Sequence, residues 1–282
     1  MRFLQCLGGI ALAASAPVMA QDETAPPPPI TVSGSAAVVS DYRFRGVSQS
    51  DQEFAVQGGL TVAHESGVYV GAWGSNLAGW GTFGGANLEL DLIGGVKLPV
   101  GGAGILDVGA TYYLFPGGAD RTDFVEPYAK LTGTIGPASL TAGVAYAPHQ
   151  VALGRWFFTG ASAALGTPDD PGDKEDNLYL WGDFAAAIPA TPVTLRAHIG
   201  RSDGNRGLGP NATSVAPTGR YWDWSLGADL VALKGLTFSV SYVDTDISDS
   251  EAAYLRPSFS KGQDGTGNIA GATIVASVTA SF

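Results

Sequence analysis

Cysteine is almost missing from this chain of 282 residues, Cys6 being the single one. It lies within a leader-like segment and away from the expected cleavage point, so a disulfide-stapled scaffold and a thiolate metal centre are excluded, and a lipoprotein reading has no support. Histidine is scarce too: His64, His149 and His198 are far apart, and no local pattern joins one to a serine and an orienting partner as a hydrolase requires. After the leader no stretch approaches the ~20 uninterrupted apolar residues of a helical membrane span. Basic residues are outnumbered, 15 Lys and Arg against 26 Asp and Glu, for a net charge of -11. That balance argues against nucleic acid as a partner, because phosphates demand basic patches. The glycine pairs do not follow a strand to open a helix, so no phosphate loop is present.

What is present begins with a leader. Arg2 supplies a positive start, Leu4 to Ala16 a short apolar core, and Val18, Met19 and Ala20 a small-residue cleavage site, which predicts a signal peptide over 1–20 and a mature start at Gln21. Losing Arg2 with it would take the net charge from -11 to -12. Gln21 to Pro29 contains four consecutive prolines from Pro26, cannot pair as a strand, and reads as an extended spacer. The remaining residues, 30–282, read as one domain. With 40 Gly and 45% apolar residues spread thinly, the composition of the whole chain suits a wall of alternating small side chains better than one packed core.

Period-two alternation recurs along that wall. Leu88, Leu90, Leu92, Val96 and Leu98 oppose Asn87, Glu89, Asp91 and Lys97. Leu106, Val108, Ala110, Tyr112 and Leu114 oppose Asp107, Thr111 and Tyr113. Trp222, Trp224, Leu226, Ala228 and Leu230 oppose Tyr221, Asp223, Ser225 and Asp229. At the C-terminus Ala272, Ile274, Ala276, Val278, Ala280 and Phe282 alternate with Thr273, Val275, Ser277, Thr279 and Ser281. A soluble sandwich alternates as well. The leader and a terminal Phe on the apolar stripe select the other architecture, an all-β transmembrane antiparallel up-and-down barrel of the bacterial outer membrane. Phe282 would then be the residue presented to the barrel-assembly machinery.

Strands are predicted near 31–42, 54–63, 67–75, 87–98, 104–115, 123–134, 138–147, 177–188, 193–201, 220–231, 235–244 and 269–282. Arg155 to Leu165 is a further candidate with muddled faces. Parity rejects it. Bacterial barrels keep both ends periplasmic, with an even strand number, short turns inside the envelope and long loops outside. The short turns at His64 to Gly67, Pro99 to Gly102, Ile135 to Pro137, Pro189 to Pro192 and Ala232 to Lys234 keep that phase only if Pro148 to Asp176 is one long external loop. Twelve spanning strands are therefore expected, with the Pro-rich spacer on the periplasmic side. Tyr42, Trp80, Tyr112, Phe115, Tyr146, Trp222, Trp224 and Tyr242 are expected at interfacial girdles.

If the apolar face meets lipid, the polar face lines the interior. Asp41, Glu89, Asp91, Asp107, Glu126, Asp183, Asp223 and Asp229 then point inward with Lys97, Lys130, Arg196 and His198, and with Arg43 and Arg45 at a strand end. These are the candidate pore-lining residues; no catalytic, metal or cofactor site is proposed beside them. They support either a hydrated wall paired across strands or a weakly cation-selective pore. Arg43, Arg45, Arg196 and His198 could instead gather as a strip for an anionic solute, or each could pair with a wall carboxylate. The acidic segments Asp169 to Asp176 and Asp244 to Glu251 lack the spacing of a calcium loop and read as solvated external loops, though such acids could bridge divalent cations to lipopolysaccharide.

The segment SDYRFRGVSQSD from Ser40 to Asp51, followed by AVQGGLTVAHESGVYVGAWGSN from Ala55 to Asn76, resembles the opening signature of the TorF family of proposed porins, also called the Gcw_chp family. DNLYLWGD from Asp176 to Asp183 and AHIGRSDG from Ala197 to Gly204 extend the resemblance over nearly all of the expected mature chain. It implies an outer-membrane barrel with a channel role and names no substrate. Two readings remain open: passive diffusion of small hydrophilic solutes through a narrow barrel, or a structural barrel with a plugged lumen and acidic loops that meet envelope or host material. A barrel-embedded hydrolase is a distant third.

Overall fold

In a computed structural model, residues 29–78, 85–210, 219–251 and 268–282 are described. Twelve antiparallel strands form one closed barrel. In chain order they are β1 (Ile30–Val39), β4 (Ala55–His64), β5 (Val68–Asn76), β6 (Leu88–Val100), β7 (Gly104–Leu114), β8 (Phe124–Ile135), β9 (Ala138–Gln150), β10 (Glu175–Ala187), β11 (Val193–Asp203), β12 (Arg220–Leu233), β13 (Leu236–Thr245) and β14 (Thr273–Ser281). Two further strands, β2 (Arg43–Phe44) and β3 (Val47–Ser48), pair only with each other. Each barrel strand bonds its sequence neighbours, and β1 closes the ring against β14, Ser35 opposite Ser281 and Val39 opposite Ser277.

The alternation places the two faces as expected. Along β14, Ile274, Ala276, Val278 and Ala280 are exposed while Thr273, Val275, Ser277, Thr279 and Ser281 turn inward. Leu60, Val70, Leu92, Leu131, Leu140, Leu226 and Val240 extend the same exposed apolar surface around the barrel. Short reversals join the strands at one end. Gly136 (φ 58°) and Gly235 (φ 78°) take left-handed conformations in two of them. The longer connections lie at the opposite end.

At the seam, Gly34 and Phe282 exchange backbone hydrogen bonds of 2.9 and 3.0 Å. A Cβ on Gly34 would lie 2.6 Å from the Phe282 ring, so glycine leaves room for the terminal ring against β1.

The first strand stops at Val39, short of 42, and the chain then turns inward through Asp41 and Tyr42. Tyr42 and Phe115, expected at a girdle, are instead buried inside the barrel. Tyr112, Tyr146, Trp222 and Tyr242 do face outward; Trp80 lies outside the described residues, as do the expected leader and most of the Pro-rich spacer. Between β9 and β10 no barrel strand intervenes. That connection holds a 3-10 turn (Val151–Leu153) and the helix α1 (Gly160–Ala164), capped by Thr159 Oγ1 accepting from Ser162 N at 3.1 Å. The bridge Phe157 to Leu208 ties it to the loop after β11.

Candidate functional site: an inserted hairpin and the charged interior

The segment that carries the family resemblance folds into the barrel. β2 and β3 form a hairpin whose two turn residues, Arg45 (φ 48°) and Gly46 (φ 80°), are both left-handed, the signature of a tight hairpin turn. Glycine at 46 is also demanded by space, because a Cβ there would lie 2.4 Å from Thr245 Cγ2 and 2.9 Å from Asp223 Cβ. The tip thus touches the wall at β12 and β13.

Asp41 organises the hairpin base. Its Oδ2 accepts from Arg43 Nε at 2.6 Å, and its Oδ1 accepts from Ser48 Oγ at 2.6 Å and Ser50 Oγ at 3.3 Å. Arg43 Nη1 donates to the Gly46 and Gly271 carbonyls. Ser50 Oγ accepts from Tyr42 N, and Gln49 N donates to the Tyr42 carbonyl. Most polar side chains of the Ser40 to Asp51 motif are thereby spent on holding one loop in one shape.

Arg45 instead reaches across the interior to β8. Its Nη2 lies 2.6 and 2.7 Å from the two Glu126 oxygens, and its guanidinium sits 4.1 Å above the Tyr179 ring of β10. Tyr113 Oη donates to Glu126 at 3.3 Å. Apolar side chains pack around the hairpin. Tyr42, Trp73, Leu77, Tyr113, Phe115, Phe124 and Leu153 belong to one cluster; Val47, Tyr221, Ile247, Ile269 and Ala270 form a second. The interior at the long-loop end is consequently built like a protein core.

Below it the wall charges pair across strands. His198 Nδ1 lies 2.6 Å from Asp183 and its Nε2 3.1 Å from Asp223, with Tyr179 Oη beside it at 2.9 Å. Arg196 meets Asp229 at 2.8 Å, and Ser239 Oγ donates to the same carboxylate. Lys130 lies 3.5 Å from Asp107, which also accepts from Tyr69 at 2.7 Å; Tyr69 and Tyr128 hydroxyls are bonded to each other. Lys97 sits over the Tyr69 ring. Glu89 and Asp91 differ from these in having no ion pair: both are buried, and Glu89 Oε2 and both Asp91 oxygens meet no hydrogen-bond donor at bonding geometry.

Of the two arrangements open to the four cations, a strip or pairing with wall carboxylates, the structure has the pairing: Arg43 on Asp41, Arg45 on Glu126, Arg196 on Asp229, His198 on Asp183 and Asp223. His198 contacts carboxylates and a phenol, whereas a histidine and a serine hydroxyl meet at the exposed His64 and Ser66, 2.9 Å apart. Sequence reasoning passed over Tyr69, Tyr128 and Tyr179 as interior residues, although they share the phase of the charged positions. At the long-loop end, His149, Glu175 and Asp176 bring ligand atoms within 4.8 Å of one another, but the His149 side chain is 61% exposed and Asp176 already accepts from Tyr146 at 2.7 Å. In the same region Asp169 accepts from Phe158 N, which holds its carboxyl below the usual range.

Two solved structures share this architecture. A NanC porin superposes with a TM-score of 0.53 at 11% identity, covering 89% of this chain and 99% of that one. A KdgM porin superposes with a TM-score of 0.51 at 8% identity, with the same coverage. At such identities the likeness is one of fold. No curated protein matches the sequence. The Gcw_chp family, described as bacterial protein of unknown function, matches over residues 23–282, and the chain belongs to that family.

Proposed function

We propose that the chain crosses the bacterial outer membrane and forms a narrow porin-like channel for passive diffusion of small hydrophilic solutes. The observation that carries this reading is the sorting of side chains across one closed wall, with Leu60, Leu226 and Val240 outward and Asp107, Lys130, Asp183 and His198 inward. Hydrocarbon accepts the first face, and the second suits hydrated ions. Twelve strands enclose less space than the roughly sixteen to eighteen of general porins, and the inserted hairpin narrows it further. No reaction or energy source is involved. The short turns face the periplasm, residues 1–20 are removed on export, Phe282 engages the assembly machinery, and the exposed acidic loops meet lipopolysaccharide. The TorF designation belongs to this proposal as well.

A second reading, a plugged structural barrel, is favoured by the burial of Val47, Ile269 and Ala270 against the hairpin. Single-channel conductance of refolded protein in a planar bilayer, with the reversal potential taken across a salt gradient, separates the two. Discrete steps in the wild type support the channel. A folded but silent wild type that conducts once Arg45 is replaced by Ala makes the hairpin the plug. Silence in both removes the channel reading.

A further inference from the structure

Every charged pair described above has its counter-charge except one. Glu89 and Asp91 lie two residues apart on β6 and so point to the same, inner face. Asp91 is 0% exposed and Glu89 3%. Among the described residues no Lys, Arg or His nitrogen forms an ion pair with either. The nearby guanidiniums are committed elsewhere, Arg45 to Glu126 and Arg43 to Asp41. Asp91 is flanked in register by Trp73 on β5 and Tyr113 on β7, both buried. Tyr42, itself 6% exposed, packs edge-on against Trp73 with ring centroids 5.4 Å apart. Its hydroxyl lies within reach of the Glu89 carboxylate and close to Asp91.

Two buried carboxylates without a counter-ion are expensive, because burial removes their hydration and each repels the other. The ligand atoms available here are the Glu89 carboxylate, Tyr42 Oη beside it, and both Asp91 oxygens, which have no hydrogen-bond partner. All are oxygens, with no sulfur or imidazole among them, the donor set of a hard cation. We infer that Glu89, Asp91 and Tyr42 form an interior site for a hard divalent cation of the Ca2+ type. One such ion neutralises both carboxylates at once, whereas a single proton neutralises one. It also ties β6 to the turn that follows β1, the segment from which the hairpin is hung. The inference stands apart from the channel reading, since a plugged barrel would hold the ion equally well.

The test uses the chain refolded without lipopolysaccharide, so that no lipid-bound calcium confuses the reading. Terbium serves as the probe, because Trp73, beside Asp91, can sensitise its emission. Saturable emission that Ca2+ displaces is expected in the wild type. It should be lost in Asp91→Asn, weakened in Tyr42→Phe, and retained in Glu175→Gln/Asp176→Asn, which alters the exposed acidic trio. Ca2+ should also raise the thermal unfolding temperature of the wild type and leave that of Asp91→Asn unmoved. Equal emission from wild type and Asp91→Asn would overturn the assignment. So would calorimetry showing no Ca2+ binding to the folded wild type, a result that does not depend on any variant folding.

Discussion

Arg45 and Glu126, 81 positions apart in the chain, meet inside the barrel at 2.6 Å, and their side chains are only 6% and 4% exposed. One belongs to a hairpin hung from β1 and the other to β8. Their contact fixes the hairpin across the interior rather than against its own wall.

Removing one partner should leave a buried charge unpaired, which costs about 3 to 5 kcal/mol, whereas replacing both with apolar residues of similar volume restores much of the loss. Urea unfolding of Glu126→Gln, Arg45→Met and Arg45→Met/Glu126→Leu in detergent would show this as a double variant more stable than either single one. Additive losses would mean that the pair does not hold the hairpin.

Gly46→Ala tests the hairpin by shape instead of charge. The added methyl would meet Thr245 and Asp223 at a left-handed turn position, for a cost of about 1 to 3 kcal/mol of overpacking. Conductance should rise in the same direction as in Arg45→Ala, since both changes drive the tip off the wall. A conductance equal to wild type would place the current path away from the hairpin.

On the outer face, Val240 is 53% exposed near the middle of β13. Val240→Arg should cost about 2 to 4 kcal/mol in a bilayer. Thr279→Lys, on the inner face of β14, should cost clearly less. Equal penalties measured in lipid vesicles would reverse the assignment of faces.

His198 has a carboxylate oxygen at each ring nitrogen, Asp183 on one side and Asp223 on the other. Carboxylates only accept, so both nitrogens donate and the ring fits there as an imidazolium. His198→Gln should therefore leave the interior more negative. In a conducting barrel the reversal potential across a salt gradient should move toward cation preference, and stability should fall by about 3 kcal/mol. An unmoved reversal potential would show that this trio does not face the current path.

Much of this molecule was legible in the chain because a barrel wall obeys a local rule. Ile274 against Thr273, or Leu92 against Asp91, already states which face is which, and the spacing of short turns and long connections forces twelve strands without any distance being known. The inward phase of Asp107, Glu126, Asp183, Asp223 and Asp229 follows from the same period. Tyr42 and Phe115 show where the rule ends. Both are aromatic and close to a strand end, which is equally true of a girdle residue and of one that seals the interior.

The sequence by itself determined the wall: the number of strands, their order, and the face on which each side chain stands, all consequences of a two-residue repeat acting on neighbours. Only the tertiary structure decided what fills the interior. Whether Arg43 to Ser48 folds outward or inward depends on contacts with Glu126, Tyr179, Asp223 and Thr245, residues brought near only when the barrel closes. The pairing of Arg45, Arg196 and His198 with carboxylates, and the lack of a basic partner at Glu89 and Asp91, follow from that closure. A period-two pattern specifies the direction of a side chain and carries no information about what stands opposite it across the barrel.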